Sequence, residues 1–224
     1  MSCSRSEPPA EETAEANSLR SGFPQKIQVT NADTPTSPIV AAARDQIGKT
    51  MIYDSSYVRL KYPGGDVAIE RGVCTDVVIR ALRDSVDMDL QKLVHEDMTS
   101  AFSEYPKIWG LKKPDWNIDH RRVPNLRRYF ERKGYSSPAD GTKADYLPGN
   151  IVTCTVPPNR PHIMIVSDRK SEDGVPLVIH NIGRGTRQEN RLASFPITGH
   201  YRIEQKARTT GSTAPSEGAP QEGR

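Results

Sequence analysis

In four segments between residues 38 and 133 the apolar side chains recur with a helical period, and from Tyr146 onward they fall into short strand-like runs separated by turn residues. A chain that writes its helices first and its strands second segregates them, so the expected class is α+β, with N-terminal helices packed on an antiparallel sheet. Residues 38–48 read as the first helix, with Pro38 in its first turn, Gly48 as its stop, and Ile39, Val40, Ala43 and Ile47 inward. A second begins at Cys74 and presents Val77, Val78, Ala81, Leu82 and Val86. Asp89 caps a third that runs to about Tyr105, with Leu90, Leu93, Val94, Met98, Ala101 and Phe102 on one stripe. Asp97 falls inside that stripe, and a carboxylate there needs a partner such as an arginine if it is buried. Residues 124–133 form a last short helix ended by Gly134, and residues 151–156, 161–166, 177–181 and 197–203 read as strands.

A chain of 224 residues buries one good core. Residues 1–37 and 207–224 are rich in Ser, Pro, Glu, Thr, Gly and Gln and read as a disordered tether and tail around one domain over 38–206. The net charge of +3 is too mild for a dedicated nucleic-acid binder, although Arg121, Arg122, Arg127, Arg128, Arg132 and Lys133 concentrate positive charge locally. No apolar stretch approaches the roughly 18 to 20 residues that span a bilayer. A monomer with no nucleic-acid partner, no membrane span and no cofactor is the expectation. The cysteines Cys3, Cys74 and Cys154 do not make a disulfide framework. Cys3, followed by Ser4 and a polar tether, is how a mature bacterial lipoprotein begins, so a lipid anchor at Cys3 is an expectation even though no apolar signal region precedes it.

The chemistry concentrates on Cys74. It opens a helix straight after the turn-like Arg71-Gly72, and a thiol at a helix start meets unpaired backbone N–H groups and the positive end of the dipole. That setting lowers a thiol from about 8.5 to roughly 3.5 to 7.5 and makes a nucleophile. Downstream, two strand-like segments carry His162 and His180. If the chain reverses near Ser171, the two histidines face each other directly; if Asp173-Gly174 makes a two-residue turn, they lie about 16 Å apart and the relay fails. His180 and Asn181 point to opposite faces, so only one joins the site; His180 is the choice and Asn181 the fallback. In this scheme His162 takes the thiol proton, the thiolate forms an acyl-enzyme, and His180 fixes the ring of His162. The Cys74 N–H and a second donor, for which Tyr62 is the candidate, hold the oxyanion, each such donor being worth about 2.7 to 4 kcal/mol. Cys154, in mid-strand, reads as structural, as do His95, His120 and His200.

Several segments carry a resemblance: Tyr62-Pro63-Gly64-Gly65-Asp66-Val67, Arg71-Gly72-Val73-Cys74-Thr75-Asp76-Val77, Leu93-Val94-His95-Glu96-Asp97-Met98, Asn117-Ile118-Asp119-His120-Arg121-Arg122-Val123 and His180-Asn181-Ile182-Gly183-Arg184-Gly185. With these the chain resembles a bacterial domain-of-unknown-function family of the papain-like superfamily, and more distantly the NlpC-type cell-wall cysteine peptidases. Against the latter, Cys74 stands at the nucleophile's helix start, His162 at the His-Val-Gly-Ile strand and His180 at the Ile-His-Ala strand, while Val73 replaces their aspartate and Asp76 their small residue. The resemblance implies a papain-like fold, a helical insertion around residues 88–135 that borders the cleft, and a periplasmic or cell-envelope thiol hydrolase acting on peptidoglycan stem peptides or a related peptide. Asp76, Asp97, Asp119, Arg121 and Arg184 are then candidates for substrate contacts. A metal-dependent hydrolase built on His162, His180 and Cys74, a thiol acyltransferase and a non-catalytic wall-binding module are the alternatives.

Overall fold

A computed structural model describes residues 36–139 and 145–203. The expectations for the tether, the tail and Cys3 fall on residues 1–35 and from 204 onward, outside the described residues. Four helices come first in the chain: α1 (Pro38–Asp45), α2 (Cys74–Val86), α3 (Leu90–Ala101) and α4 (Val123–Arg132). Between α1 and α2 a two-residue parallel pair joins β1 (Ile52–Tyr53) to β2 (Arg71–Gly72). The main sheet follows, built from β3 (Ser136–Ser137), β4 (Ile151–Val156), β5 (Arg160–Lys170), β6 (Pro176–Asn181), β7 (Thr186–Glu189) and β8 (Ile197–Tyr201). Its order is β3-β8-β4-β5-β6-β7, with every neighbouring pair antiparallel. The α+β class holds.

The helix boundaries follow local chemistry. Pro38 sits in the first turn of α1, and the chain leaves helix at Asp45, so Ile47 is 39% exposed instead of joining the core. Gln46 turns inward in its place and donates through Nε2 to the Val77 carbonyl of α2 at 2.9 Å. Asp89 caps α3 as expected, its carboxylate accepting from the Gln91 N–H at 3.1 Å. The helix then tightens into a 3-10 turn over Phe102–Glu104. Gly134, at φ +75°, closes the turn after α4 in the left-handed region that glycine favours.

Both faces of the sheet are covered. Ile151, Ile163, Ile165 and Ile179 face the helices, packing with Val77, Val78, Ala81 and Leu82 of α2 and with Ile39, Val40 and Ala43 of α1. Val152, Cys154, Met164, Val166 and Val178 face the other way and pack with Tyr146, Val175 and Leu192. Two buried faces explain why β4, β5 and β6 read as continuous apolar runs. Each fully buried Val, Ile or Leu contributes about 1.5 to 3 kcal/mol.

The β5–β6 register is neither of the two expected. Ile165 pairs with Ile179 and Val166 with Val178, but after an irregularity Lys170 pairs with Pro176. The turn runs over Glu172, Asp173 and Gly174, closed by the Ser171 N–H donating to the Val175 carbonyl at 2.8 Å, and the β5 strand carries extra residues in the irregularity, so the turn does not set the pairing nearer the site. The displacement from direct opposition is even, and the side-chain period of a strand is two, so His162 and His180 stay on one face as diagonal neighbours, the face of Cys154, Met164 and Val178, while Asn181 takes the helix-facing side with Ile163 and Ile179.

Candidate active site

The start of α2 is held from three sides. Val73, in extended conformation at the N-cap, has no side-chain acceptor of its own. The Asp76 carboxylate reaches back to the Val73 N–H at 2.7 Å and accepts a two-pronged contact from Arg121, Nε at 2.9 Å and Nη2 at 3.0 Å. Arg121 also donates to the carbonyls of Asp54 and Ser56, both at 3.1 Å, and Thr75 Oγ1 donates to the Arg121 carbonyl. Asn181 Nδ2 donates to the Gly72 carbonyl at 3.0 Å. These contacts fix the turn that presents Cys74.

Cys74 is 5% exposed, and this reverses the expected direction of its acidity. Burial is the largest influence and pushes the Cys74 thiol up to about 12, with the Asp76 charge adding to it. The N–H groups of Ile163, Thr75 and Cys74 pull the other way. The helix-start effect is present, as the Thr75 and Cys74 N–H groups show, but desolvation outweighs it. The strand donor is Ile163, the residue after His162, and the sulfur bonds to this backbone group instead of to the imidazole.

His162 and His180 meet edge to face with ring centroids 5.0 Å apart, and His162 Nε2 lies 2.7 Å from His180 Nδ1. The other nitrogen of His180, Nε2, lies 3.1 Å from Glu189 Oε2. The hydrogen bond from His180 holds the Glu189 carboxyl below its usual range, so the carboxylate is the accepting end. His180 then carries its proton on Nε2 and accepts at Nδ1, and His162 donates from Nε2. The lone pair of His162 is left on Nδ1. Burial, and then His180, push His162 down to about 3, so its resting form is neutral. Cys74 therefore rests as a neutral thiol and His162 as a neutral imidazole, not as a thiolate–imidazolium pair.

Glu189 was not visible as a site residue, because its place depends on the β6–β7 register, in which His180 opposes Arg187 and Val178 opposes Glu189. Its alternation with Arg187 on a strand after a Gly-rich turn was the available signal. Tyr53 was also missed. It pairs with Gly72 across β1 and β2, and burial followed by the neighbouring Cys74 pushes its hydroxyl up to about 12. Tyr53 therefore stands near Cys74, whereas Tyr62 packs its ring against His95 and Trp116 at 5.3 and 5.7 Å.

The other candidates divide. Asp76 and Arg121 lie at the start of the thiol helix but are spent on each other. Asn181 points to the helix side and serves as a clamp on Gly72. Asp97 is structural: it accepts from Tyr105 Oη and Arg132 Nε, both at 2.7 Å, and from Lys133 Nζ. Burial alone would raise its carboxyl, yet these donors hold it well below the usual range. Asp119 accepts from the Asp115 N–H and from Arg122 Nη1 within its own loop. Arg184 is exposed in the β6–β7 turn. Among the described residues no group of His, Cys, Asp or Glu has the convergence a metal ion needs, and His180 has both ring nitrogens engaged.

Two comparisons place the chain among known proteins. It is 52% identical over 188 residues to an uncharacterized protein, YijF, of Escherichia coli (strain K12), a match that covers 84% of this chain and 91% of that protein. Residues 40–203, which take in every helix but the first two residues of α1 and the whole sheet, match a family model described as a domain of unknown function, DUF1287. The chain belongs to the DUF1287 family.

Proposed function

We propose that this protein is a thiol hydrolase of papain-like architecture, distantly related to NlpC-type enzymes, that cleaves an amide bond in peptidoglycan stem peptides or a related peptide of the cell envelope. One observation carries the reading: the chain of hydrogen bonds from Glu189 through His180 to His162 ends one residue from Ile163, whose N–H touches the buried thiol of Cys74. In the proposed reaction the His162 Nδ1 lone pair removes the thiol proton as the sulfur attacks the carbonyl. The imidazolium then protonates the leaving amine, and water, activated by the same ring, releases the acid. The Cys74 N–H and the Tyr53 hydroxyl supply the oxyanion donors. Because the thiol rests in its protonated form, proton removal is coupled to substrate arrival.

Mass spectrometry of muropeptides before and after incubation with purified protein reports both the bond and the reaction type, since transfer to another amine gives a different mass from hydrolysis. Cys74→Ala abolishes cleavage, and His162→Ala lowers kcat by about 10² to 10⁴. Undiminished cleavage by Cys74→Ala rules the proposal out. The raised thiol favours one second reading, a wall-binding module without turnover, which retention of muropeptides with no change in their masses would establish.

A further inference from the structure

The stretch from Tyr53 to Arg71 has almost no regular structure, yet buried side chains of neighbouring elements hold it along its length. Arg121 grips the carbonyls of Asp54 and Ser56. Gln91 of α3 accepts from the Gly65 N–H at 2.8 Å and donates to the Lys61 carbonyl at 2.9 Å. Arg80 of α2 pairs with the Asp66 carboxylate at 2.8 Å and donates to the carbonyls of Val67, Ala68 and Arg71. Gly65 is packed so closely that a Cβ there would stand 2.1 Å from the Lys61 carbonyl oxygen. A segment pinned in this way is a wall rather than a loose loop.

The wall encloses a cavity of about 510 Å³, a size that accepts a few residues of peptide. Its charged lining is Asp54, Arg59, Lys61, Asp66, Arg71 and Arg121. Both acids are matched, Asp54 by Arg71 at 2.9 Å and Asp66 by Arg80, and Arg121 is committed to Asp76. Arg59 and Lys61 remain: among the described residues neither side-chain head is engaged in a hydrogen bond or ion pair. Arg121, which lines the cavity, also holds Asp76 in the first turn after Cys74, so the cavity is tied to the start of α2.

We infer that this cavity is a carboxylate-recognition subsite, in which Arg59 and Lys61 pair with a carboxylate of the peptide whose amide is presented to Cys74. This rests on the proposed hydrolase reading for the peptide's identity. The two cations are the uncommitted positive charges of the lining, and a carboxylate is the anion that a peptide substrate brings to them. Arginine supplies planar two-point contact and lysine a point charge, so together they fix the orientation of one carboxylate group.

The test is calorimetric titration of Cys74→Ala protein, which binds without turnover, with a stem tetrapeptide bearing free carboxylates and with its fully amidated counterpart. Amidation is expected to weaken binding at least tenfold. The Arg59→Gln/Lys61→Gln double variant loses the same factor for the free peptide and no longer distinguishes the two. Its thermal midpoint stays at that of the parent, because both heads are exposed. Equal affinity for the two peptides, unchanged affinity in the double variant, no detectable binding of the free peptide, or inorganic phosphate binding as tightly as the peptide each overturns the subsite. Failure of the wild-type protein to cleave muropeptides, with carboxylate-dependent binding intact, instead removes the hydrolase reading and leaves the subsite standing.

Discussion

The raised thiol of Cys74 gives the sharpest prediction. At pH 7.5 a free thiol with pKa about 8.5 is roughly 9% thiolate, whereas a thiol pushed up to about 12 is about 0.003% thiolate. That is a deficit of about 3,000-fold in the reactive form. A more basic thiolate is more nucleophilic, with a Brønsted slope of about 0.4 to 0.5, which over the difference of about 3.5 units returns roughly 25- to 55-fold. The net expectation is alkylation by iodoacetamide on the order of a hundredfold slower than a free thiol, before any loss from restricted access. The rate should climb close to tenfold per pH unit from pH 6 to 10 without a plateau. The measurement uses protein in which Cys3 and Cys154 are serine, so that only one sulfur reports, with modification followed by intact mass. A plateau in the rate at or below neutral pH would mean a standing thiolate–imidazolium pair and would refute the reasoning that burial outweighs the helix start.

Arg121→Met leaves the Asp76 carboxylate buried without its cation and should cost about 3 to 5 kcal/mol, read as a fall of about 6 to 20 °C in Tm; adding Asp76→Asn should restore part of it. His162 and His120 stay neutral in the folded chain down to about 3 and about 4, both mainly through burial, while unfolded histidines take up protons near pH 6.5. The unfolded chain therefore binds more protons below that pH. Stability is full above about pH 6.5 and falls toward pH 4 by at most about 1.4 kcal/mol per pH unit for each histidine, a slope that denaturant titrations of His120→Gln should show reduced. Glu189→Leu removes the group that orients both imidazoles and should lower kcat on muropeptides about tenfold or more and move its pH profile, while Glu189→Gln, which keeps an accepting oxygen, loses less. An unaltered pH profile in Glu189→Leu would exclude Glu189 from the relay.

The helices were legible because their signals are local. Pro38, Asp89 and Gly134 mark ends, and the stripe from Leu90 to Met98 faces inward as its period implies. Ile47 was misjudged because the stripe of α1 was extended past the point where the helix stops. The pairing of His162 with His180 was legible only as a parity: the irregularity between Val166 and Lys170 shifts the strands by an amount no turn motif announces, and an even shift preserved the face. Glu189 and Tyr53 depended on pairings of very short strands, β7 with β6 and β1 with β2, whose registers are tertiary facts. The acidity of Cys74 shows the same limit. The dipole and the N–H groups can be read from a helix start, but the desolvation that outweighs them belongs to the packed interior.

The pinning of the irregular wall by Arg80, Gln91 and Arg121 separates two kinds of position in this protein. Fasteners hold the backbone and tolerate little change, whereas the side chains of Arg59 and Lys61 line the cavity without a hydrogen bond or ion pair to the scaffold among the described residues. Ligand preference can therefore drift among relatives through substitutions at the rim while the chassis stays intact, and an engineer seeking a new ligand should randomise the rim and leave the fasteners untouched.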